Sequence, residues 1–162
     1  MKITLLRHGK RDLTTSSDGS LNETGQKLAL ELPSRLEPQG KFPRPTHLIC
    51  SPKRRARETL SPLSEHLAIN LKTEPLLDER QNTEASVEFR DRVKNFFVNL
   101  PKQYTPQDVV YLCSHADWLE EAIISLPSDI PEVYAESGFA CGEMKTFELN
   151  DGHWKFLKDQ SG

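Results

Sequence analysis

Three short strand-forming runs in this chain each end abruptly in polar residues, and that repetition limits the folds open to it. Ile3 to Leu6 stops at Arg7-His8-Gly9, Thr46 to Cys50 at Ser51-Pro52-Lys53-Arg54-Arg55, and Val109 to Cys113 at Ser114-His115. Brief, largely apolar runs with such punctuation read as buried strands. Between them lie segments whose apolar residues recur every three or four positions, the period of an amphipathic helix. Strands alternating with helices predict an α/β domain, a three-layer α/β/α sandwich with a mostly parallel central sheet and helices on both faces. In such sheets ligands bind just beyond the carboxyl ends of the strands. The three polar tips are therefore expected to converge on one edge.

The intervening segments carry their own start and stop signals. After a Ser/Asp/Gly loop, Asn22 can cap a helix with Leu28, Ala29, Leu32 and Leu36 on one face, and Pro33 should kink or end it. Ser51-Pro52 reads as a helix start, a hydroxyl cap with proline in the first turn. It leads into a face of Ala56, Leu60, Leu63 and Leu67, with a bend expected at Pro62. Leu71 to Leu77 holds a further short strand. Phe89, Val93, Phe96, Phe97 and Leu100 mark the clearest amphipathic helix, a core stripe rather than a binding one. A last helix runs from about Asp117 to Leu126, and Glu143 to Leu149 with His153 to Leu157 flank Asn150-Asp151-Gly152, a strong hairpin signal. No repeat, low-complexity tract or linker divides the chain, and its eleven prolines are scattered, so residues 1–162 read as a single domain.

Composition narrows what that domain can bind. With 21 Lys+Arg against 24 Asp+Glu the net charge is -3. That argues against a coat for nucleic acid, which needs a net basic face. The apolar runs fall far short of the ~20 residues of a membrane span. The N-terminal MKITLLRHGK has neither the apolar region nor the cleavage site of a secretion signal. The chain is expected to be a cytoplasmic monomer with no nucleic-acid or membrane partner. Cys50, Cys113 and Cys141 are far apart and form no C-x-x-C pair, which suits reduced thiols buried at strand ends. His47, His66 and His153 have no spacing that suggests a metal site. Trp118 and Trp154 read as packing, with either able to line an open pocket.

What remains for chemistry is two histidines and at least two arginines at one sheet edge, a compact cationic site suited to a tetrahedral dianion. An arginine fork gives paired, charge-assisted hydrogen bonds to phosphate oxygens. Neutral imidazole is a competent nucleophile at phosphorus. In phosphoryl transfer the protein mainly positions and neutralises, and fixed arginines can supply positive charge, so neither metal nor other cofactor is required.

The residues carrying that chemistry resemble the histidine phosphatase superfamily, which includes phosphoglycerate mutase-like enzymes. Leu5-Leu6-Arg7-His8-Gly9 looks like its signature, and Leu21-Asn22-Glu23-Thr24-Gly25-Gln26 resembles the helix start that follows. Ser51-Pro52-Lys53-Arg54-Arg55-Ala56-Arg57-Glu58-Thr59 is similar to the family's serine-proline-x-x-arginine-alanine-x-x-threonine segment and selects Arg55 over Arg54 and Arg57. Leu77-Asp78-Glu79-Arg80 looks like the stretch bearing the general acid, and Cys113-Ser114-His115-Ala116 resembles the turn with the second histidine. The resemblance extends in order from residue 3 to about residue 149.

It implies a phosphoglycerate mutase-like fold and a phosphohistidine mechanism. His8 would attack phosphorus while Arg7, Arg55 and His115 hold the phosphoryl group. Glu79 would protonate the leaving oxygen and then activate water; Asp78 and Glu84 lie close enough to compete for that role. Lys53, Arg54 and Arg57 read as rim charges, and Lys10 and Arg11 as either substrate-attracting or solvated. Two residues depart from the pattern: Ala116 stands where glycine is usual, and Thr14 where mutase-like members carry asparagine. The insertion that shapes the pocket of those members is absent, since only Arg80 to Glu88 separate Glu79 from the Phe89 stripe. An open site is therefore expected, resembling the phosphohistidine phosphatase branch, whose substrate is a phosphorylated histidine on another protein, although that branch generally lacks the acid. The reading carried forward first is a phosphohistidine phosphatase acting on a phosphoprotein, preferred over a small-molecule phosphomonoesterase of the same superfamily; the alternative from a different class is a non-catalytic phosphoanion- or nucleic-acid-binding module. A mutase is disfavoured because nothing would enclose its intermediate.

Overall fold

Strands and helices alternate along the described residues, 1–14 and 18–161 of a computed structural model. The first strand, β1 (Lys2–Arg7), leads to α1 (Glu23–Glu31), β2 (His47–Cys50), α2 (Arg54–Leu67), β3 (Leu71–Thr73) and α3 (Ser86–Asn99). Next come β4 (Val109–Ser114) and α4 (Ala116–Ser125), and a hairpin of β5 (Met144–Asn150) and β6 (His153–Ser161) closes the order. All six form one sheet in the order β3-β2-β4-β1-β5-β6. The first four are mutually parallel, and the hairpin adds β5 antiparallel to β1.

Side chains alternate across a strand, and that alternation builds two cores. Ile3 and Leu5 of β1, Ile49 of β2, and Val110 and Leu112 of β4 face α3 and α4, meeting Phe89, Val93, Phe97, Trp118 and Leu119. Their neighbours Leu6, Leu48, Cys50, Tyr111 and Cys113 face the other way, onto Leu32, Leu36, Ala56, Leu60 and Leu63. Helices therefore cover both faces of the sheet, as the alternation of elements predicts.

The boundaries follow local chemistry. Asn22 caps α1, its Oδ1 accepting from the Gly25 amide at 2.9 Å, and at Leu32 the helix tightens into a 3₁₀ turn that carries Pro33. The start expected at Ser51 lies three residues later, at Arg54. Ser51 is buried and its hydroxyl is taken by His115 and the Lys53 amide, so it shapes a turn before the helix instead of capping it. α2 runs on through Pro62. The Leu71 to Leu77 strand shortens to three residues, because Pro75 opens a 3₁₀ turn over Pro75–Leu77. The 3₁₀ turn over Pro131–Glu136 has no periodic signal and was not expected. In the hairpin both Asp151 and Gly152 have positive φ, 50° and 77°, as a two-residue turn of this hand requires. The predicted Ser/Asp/Gly loop falls partly on residues 15–17, outside the described residues.

Candidate active site

The parallel register sets the site. Arg7 lies opposite Ser114 and Cys50 opposite Cys113, so β1, β2 and β4 end side by side. The His8 amide donates to the Ser114 carbonyl at 3.2 Å, and the Ser51 amide to the Cys113 carbonyl at 3.0 Å. One residue beyond, the His8 and His115 rings stand edge to face with centroids 5.2 Å apart. Arg55, on the first turn of α2, reaches between them with only 2% of its surface exposed. Arg7, His8, Arg55, Glu79 and His115 line one cavity of about 480 Å³.

Hydrogen bonding assigns the imidazole tautomers. His8 Nδ1 lies 2.7 Å from the Gly9 carbonyl, which can only accept, so Nδ1 carries the proton. Nε2 keeps its lone pair and accepts from Arg55 Nε at 3.3 Å. His115 Nδ1 accepts from Arg55 Nη2 at 3.4 Å, which leaves Nε2–H to donate to Ser51 Oγ at 2.8 Å. Burial, reinforced by the guanidinium charges of Arg55 and Arg7, pushes the His8 pKa down to about 4. Burial beside His8 and Arg55 takes His115 down to about 2. Both rings are therefore neutral at pH 7, and the His8 Nε2 lone pair is covered only by the long Arg55 hydrogen bond among the described residues.

The charged residues are held as firmly. Arg55 Nη2 bonds Glu79 Oε2 at 3.0 Å, and the same oxygen lies 4.0 Å from His115 Nδ1. Arg7 Nη1 donates to the Phe139 carbonyl at 2.9 Å, while its buried Nε has no partner among the described residues. The segment bearing that carbonyl is tied down by the buried Lys145, which donates to the Glu136 and Gly138 carbonyls and lies 4.5 Å from the Phe139 ring centre. Thr59, from the serine-proline segment, accepts from the Gly9 amide at 3.0 Å and donates to the Arg55 carbonyl at 2.7 Å, linking the two loops.

Of the residues competing in sequence, the structure brings only some to the cavity. Asp78 accepts from the Glu79 amide, pairs with Lys53 and lies 3.8 Å from His115 Nε2 on the side away from Arg55, without lining the cavity, and Glu84 is paired with Arg92. Lys53 and Arg54 are matched to Asp78 and Glu58, and Arg57 Nε rests on the Pro52 carbonyl. Lys10 and Arg11 do line the cavity, as does Ala116. Thr14 is exposed and bonded to Asp12. Trp118 and Trp154 are fully buried in the core, and neither lines the cavity of His8 and His115. Cys50 and Cys113 are buried at strand ends, where burial raises the thiols, Cys50 to about 11, but the partly exposed Cys141 lies in the cavity wall. Among the described residues no group of three or more His, Cys, Asp or Glu is placed to hold a metal ion. Three supporting residues escaped sequence reasoning: Arg92, Lys145 and Asp117, whose carboxylate accepts from the Arg80 amide at 3.1 Å.

Residues 3–86 match the model of the histidine phosphatase superfamily (branch 1). Solved structures share the fold at low identity. A mutant phosphoserine phosphatase from Entamoeba histolytica in complex with phosphoserine superposes with a TM-score of 0.73 at 16% identity, over 96% of this chain and 94% of that one. The alpha-ribazole phosphatase from Shigella flexneri gives 0.74 at 18%, over 97% and 95%. A mycobacterial glucosyl-3-phosphoglycerate phosphatase gives 0.70 at 16%, over 96% of each chain. No curated protein sequence matches the chain.

Proposed function

The chain belongs to branch 1 of the histidine phosphatase superfamily, and from that premise we propose that it hydrolyses small phosphomonoesters through a phosphohistidine on His8. His8 Nε2 attacks phosphorus in line, with Nδ1–H anchored on the Gly9 carbonyl. The Arg55 N–H that rests on Nε2 passes to a phosphoryl oxygen as the N–P bond forms. Arg7 takes a second oxygen, its unpartnered Nε being one such donor, and His115 becomes a donor to the third when the bound phosphoryl dianion draws a proton onto Nδ1. With Arg55 turned to the phosphate, Glu79 enters the step protonated, gives that proton to the departing alcohol oxygen, and as the carboxylate takes a proton from the water that cleaves the phosphoenzyme, which releases phosphate and restores the acid.

One observation carries the substrate class: Glu79 is held on Arg55 at 3.0 Å with its carboxylate 4.0 Å from His115 Nδ1. An alkoxide is a poor leaving group and needs a proton, whereas a protonated imidazole leaves with little help, so a placed acid suits an ester better than a phosphohistidine. The cavity of about 480 Å³ is in the usual range for small-molecule sites. Phosphoserine phosphatase and alpha-ribazole phosphatase, named among the fold neighbours, are consistent with this class. The second reading, a phosphohistidine protein phosphatase, is favoured by the six-residue connection from Arg80 to Ala85, which adds no cover over the site. A cytoplasmic monomer remains part of the proposal; among the described residues no helix is long and apolar enough to cross a membrane.

Rapid-quench labelling with a radiolabelled phosphoester tests the mechanism, with acid-labile label expected on the wild type and none on His8→Ala. Full turnover by His8→Ala overturns it. Comparing kcat/KM for alkyl phosphates with that for a phosphohistidine protein tests the substrate, and a large preference for the protein moves the assignment to the second reading.

A further inference from the structure

Between β3 and α3 the chain leaves the sheet and turns through Pro75–Leu77 toward the cavity, where it delivers Glu79. No strand ladder pairs this stretch, so its carbonyls need other donors. Side chains supply them. Ser114 Oγ bonds the Leu77 carbonyl at 2.6 Å, and Trp118 Nε1 the Leu76 carbonyl at 2.7 Å. Arg92, nearly two turns into α3, makes further contacts from a single guanidinium.

Its Nη1 donates to the Leu76 and Asp78 carbonyls, both at 2.8 Å, and its Nη2 to the Glu79 carbonyl at 3.2 Å. Nε and Nη2 also grip both oxygens of Glu84, each at 2.9 Å. That accounts for all five N–H donors of the group. The Phe89 ring lies beneath it at 4.9 Å, and both members of the Arg92–Glu84 pair are largely buried, with 16% and 13% of their side chains exposed. Each of these hydrogen bonds falls within residues 76–84, the turn that carries Glu79.

We infer that Arg92, locked by Glu84, is a positioning residue that fixes the Glu79 carboxyl for proton delivery to the leaving oxygen. The inference rests on the reading of Glu79 as the general acid. Arg92 touches neither the cavity nor the nucleophile; it acts on the backbone of the acid. A lysine cannot replace it, because a tetrahedral ammonium has three donors and no fork to hold a carboxylate and three carbonyls in one plane. Displacement of the acid by about an ångström then affects protonation of the leaving group and not phosphoryl binding.

Leaving-group dependence separates this role from a merely structural one. The wild type, Glu79→Gln, Arg92→Lys and Glu84→Gln are compared on glycerol phosphate, whose alkoxide must be protonated, and on p-nitrophenyl phosphate, whose phenolate leaves unaided. Glu79→Gln should slow the alkyl ester by about 10²–10⁴-fold and the aryl ester far less. Arg92→Lys and Glu84→Gln should reproduce that split more weakly, by ~10–10²-fold in kcat on the alkyl ester, with little change in KM or on the aryl ester. Equal losses on both substrates, or none on either, overturn the inference while leaving the proposed function intact. No split in Glu79→Gln itself overturns the reading of Glu79, and the positioning role with it. Should Arg92→Lys fail to fold, Glu84→Gln, which keeps the side-chain shape and removes only the charge, decides the question.

Discussion

At the scale of single residues the site is defined by two imidazoles kept neutral by burial, and that state leaves a mark on stability. In an unfolded chain both titrate near 6.5, whereas in the folded protein His8 is lowered to about 4 and His115 to about 2. Between those values the unfolded chain binds more protons than the folded one, so stability rises with pH through the window. The contribution is complete above about pH 6.5 and is lost on acidification, at roughly 1.4 kcal/mol per ring for each pH unit separating its folded and unfolded values. Glu84 and Asp108, whose carboxyls are held below their ordinary range, act only at lower pH, so the upper part of the window belongs to the histidines. Urea midpoints should fall steadily as pH drops from about 6.5 toward 4.5, and the slope should flatten in His8→Gln and in His115→Gln; an unchanged slope in both variants sinks the account. The five residues singled out in sequence, Arg7, His8, Arg55, Glu79 and His115, all reach the cavity because each belongs to a motif with its own letters. Arg92 was not legible. Three of its partners are backbone carbonyls, which any residue supplies, and nothing in the sequence marks which turn they form.

Elements meet at this site through backbone as much as side chains, and two glycines show why. Gly25, in the first turn of α1, packs on the loop after His8 so closely that a Cβ there would lie 2.3 Å from the Lys10 carbonyl oxygen and 3.0 Å from the Lys10 nitrogen. A Cβ at Gly9 would lie 3.1 Å from Gly25 Cα, so the two residues need each other small. The Asn22 amide donates to the same Lys10 carbonyl at 2.9 Å, which fixes the approach of α1 to the loop. Gly25→Ala should therefore cost about 1–3 kcal/mol, as overpacking does, and lower kcat by shifting the peptide that anchors His8. Gly138→Ala is the control, since nothing lies within 4 Å of a Cβ there. Chemical denaturation of the two variants checks this, and equal stability would show that the loop yields freely. The elements themselves were largely readable. Three strands fell within one residue of their expected ends because an apolar run has to stop where polar residues begin. The start of α2 was misplaced because Ser51 has the right letter for a cap but spends its hydroxyl on His115. Pro131–Glu136 is not readable because six residues of 3₁₀ helix, about two turns, are too few to show a period.

Across the whole molecule, a net charge of -3 coexists with a cavity lined by Arg7, Lys10, Arg11 and Arg55 against Glu79 and Asp117. The other arginine-rich segment is partly neutralised, although Arg57 rests on the neutral Pro52 carbonyl. Lys53 and Arg54 are matched to Asp78 and Glu58 at 3.8 and 3.4 Å. Positive potential is thus concentrated at one mouth on an acidic body, which suits capture of a small anion better than tracking a polyanion that needs a basic stripe. Lys10 and Arg11 stand two and three residues beyond His8, on a loop whose backbone is pinned by Asn22 and by the Arg11–Leu21 bridge. Neither forms an ion pair with a carboxylate among the described residues, and the Arg11 charge is felt at His8. Their contribution should appear in substrate capture. The Lys10→Ala/Arg11→Ala double variant is expected to lose ~10-fold or more in kcat/KM at low ionic strength, with kcat held. The deficit should shrink as salt is raised past ~0.1 M, where the Debye length falls to about 10 Å. Steady-state kinetics across a salt series checks this: a deficit independent of salt means that the two side chains make direct contacts instead of a field, and an unaltered kcat/KM means that the phosphoryl site draws its substrate without them. Wild-type affinity for a duplex oligonucleotide at low salt, if strong and steeply salt-dependent, would instead favour the binding-module reading.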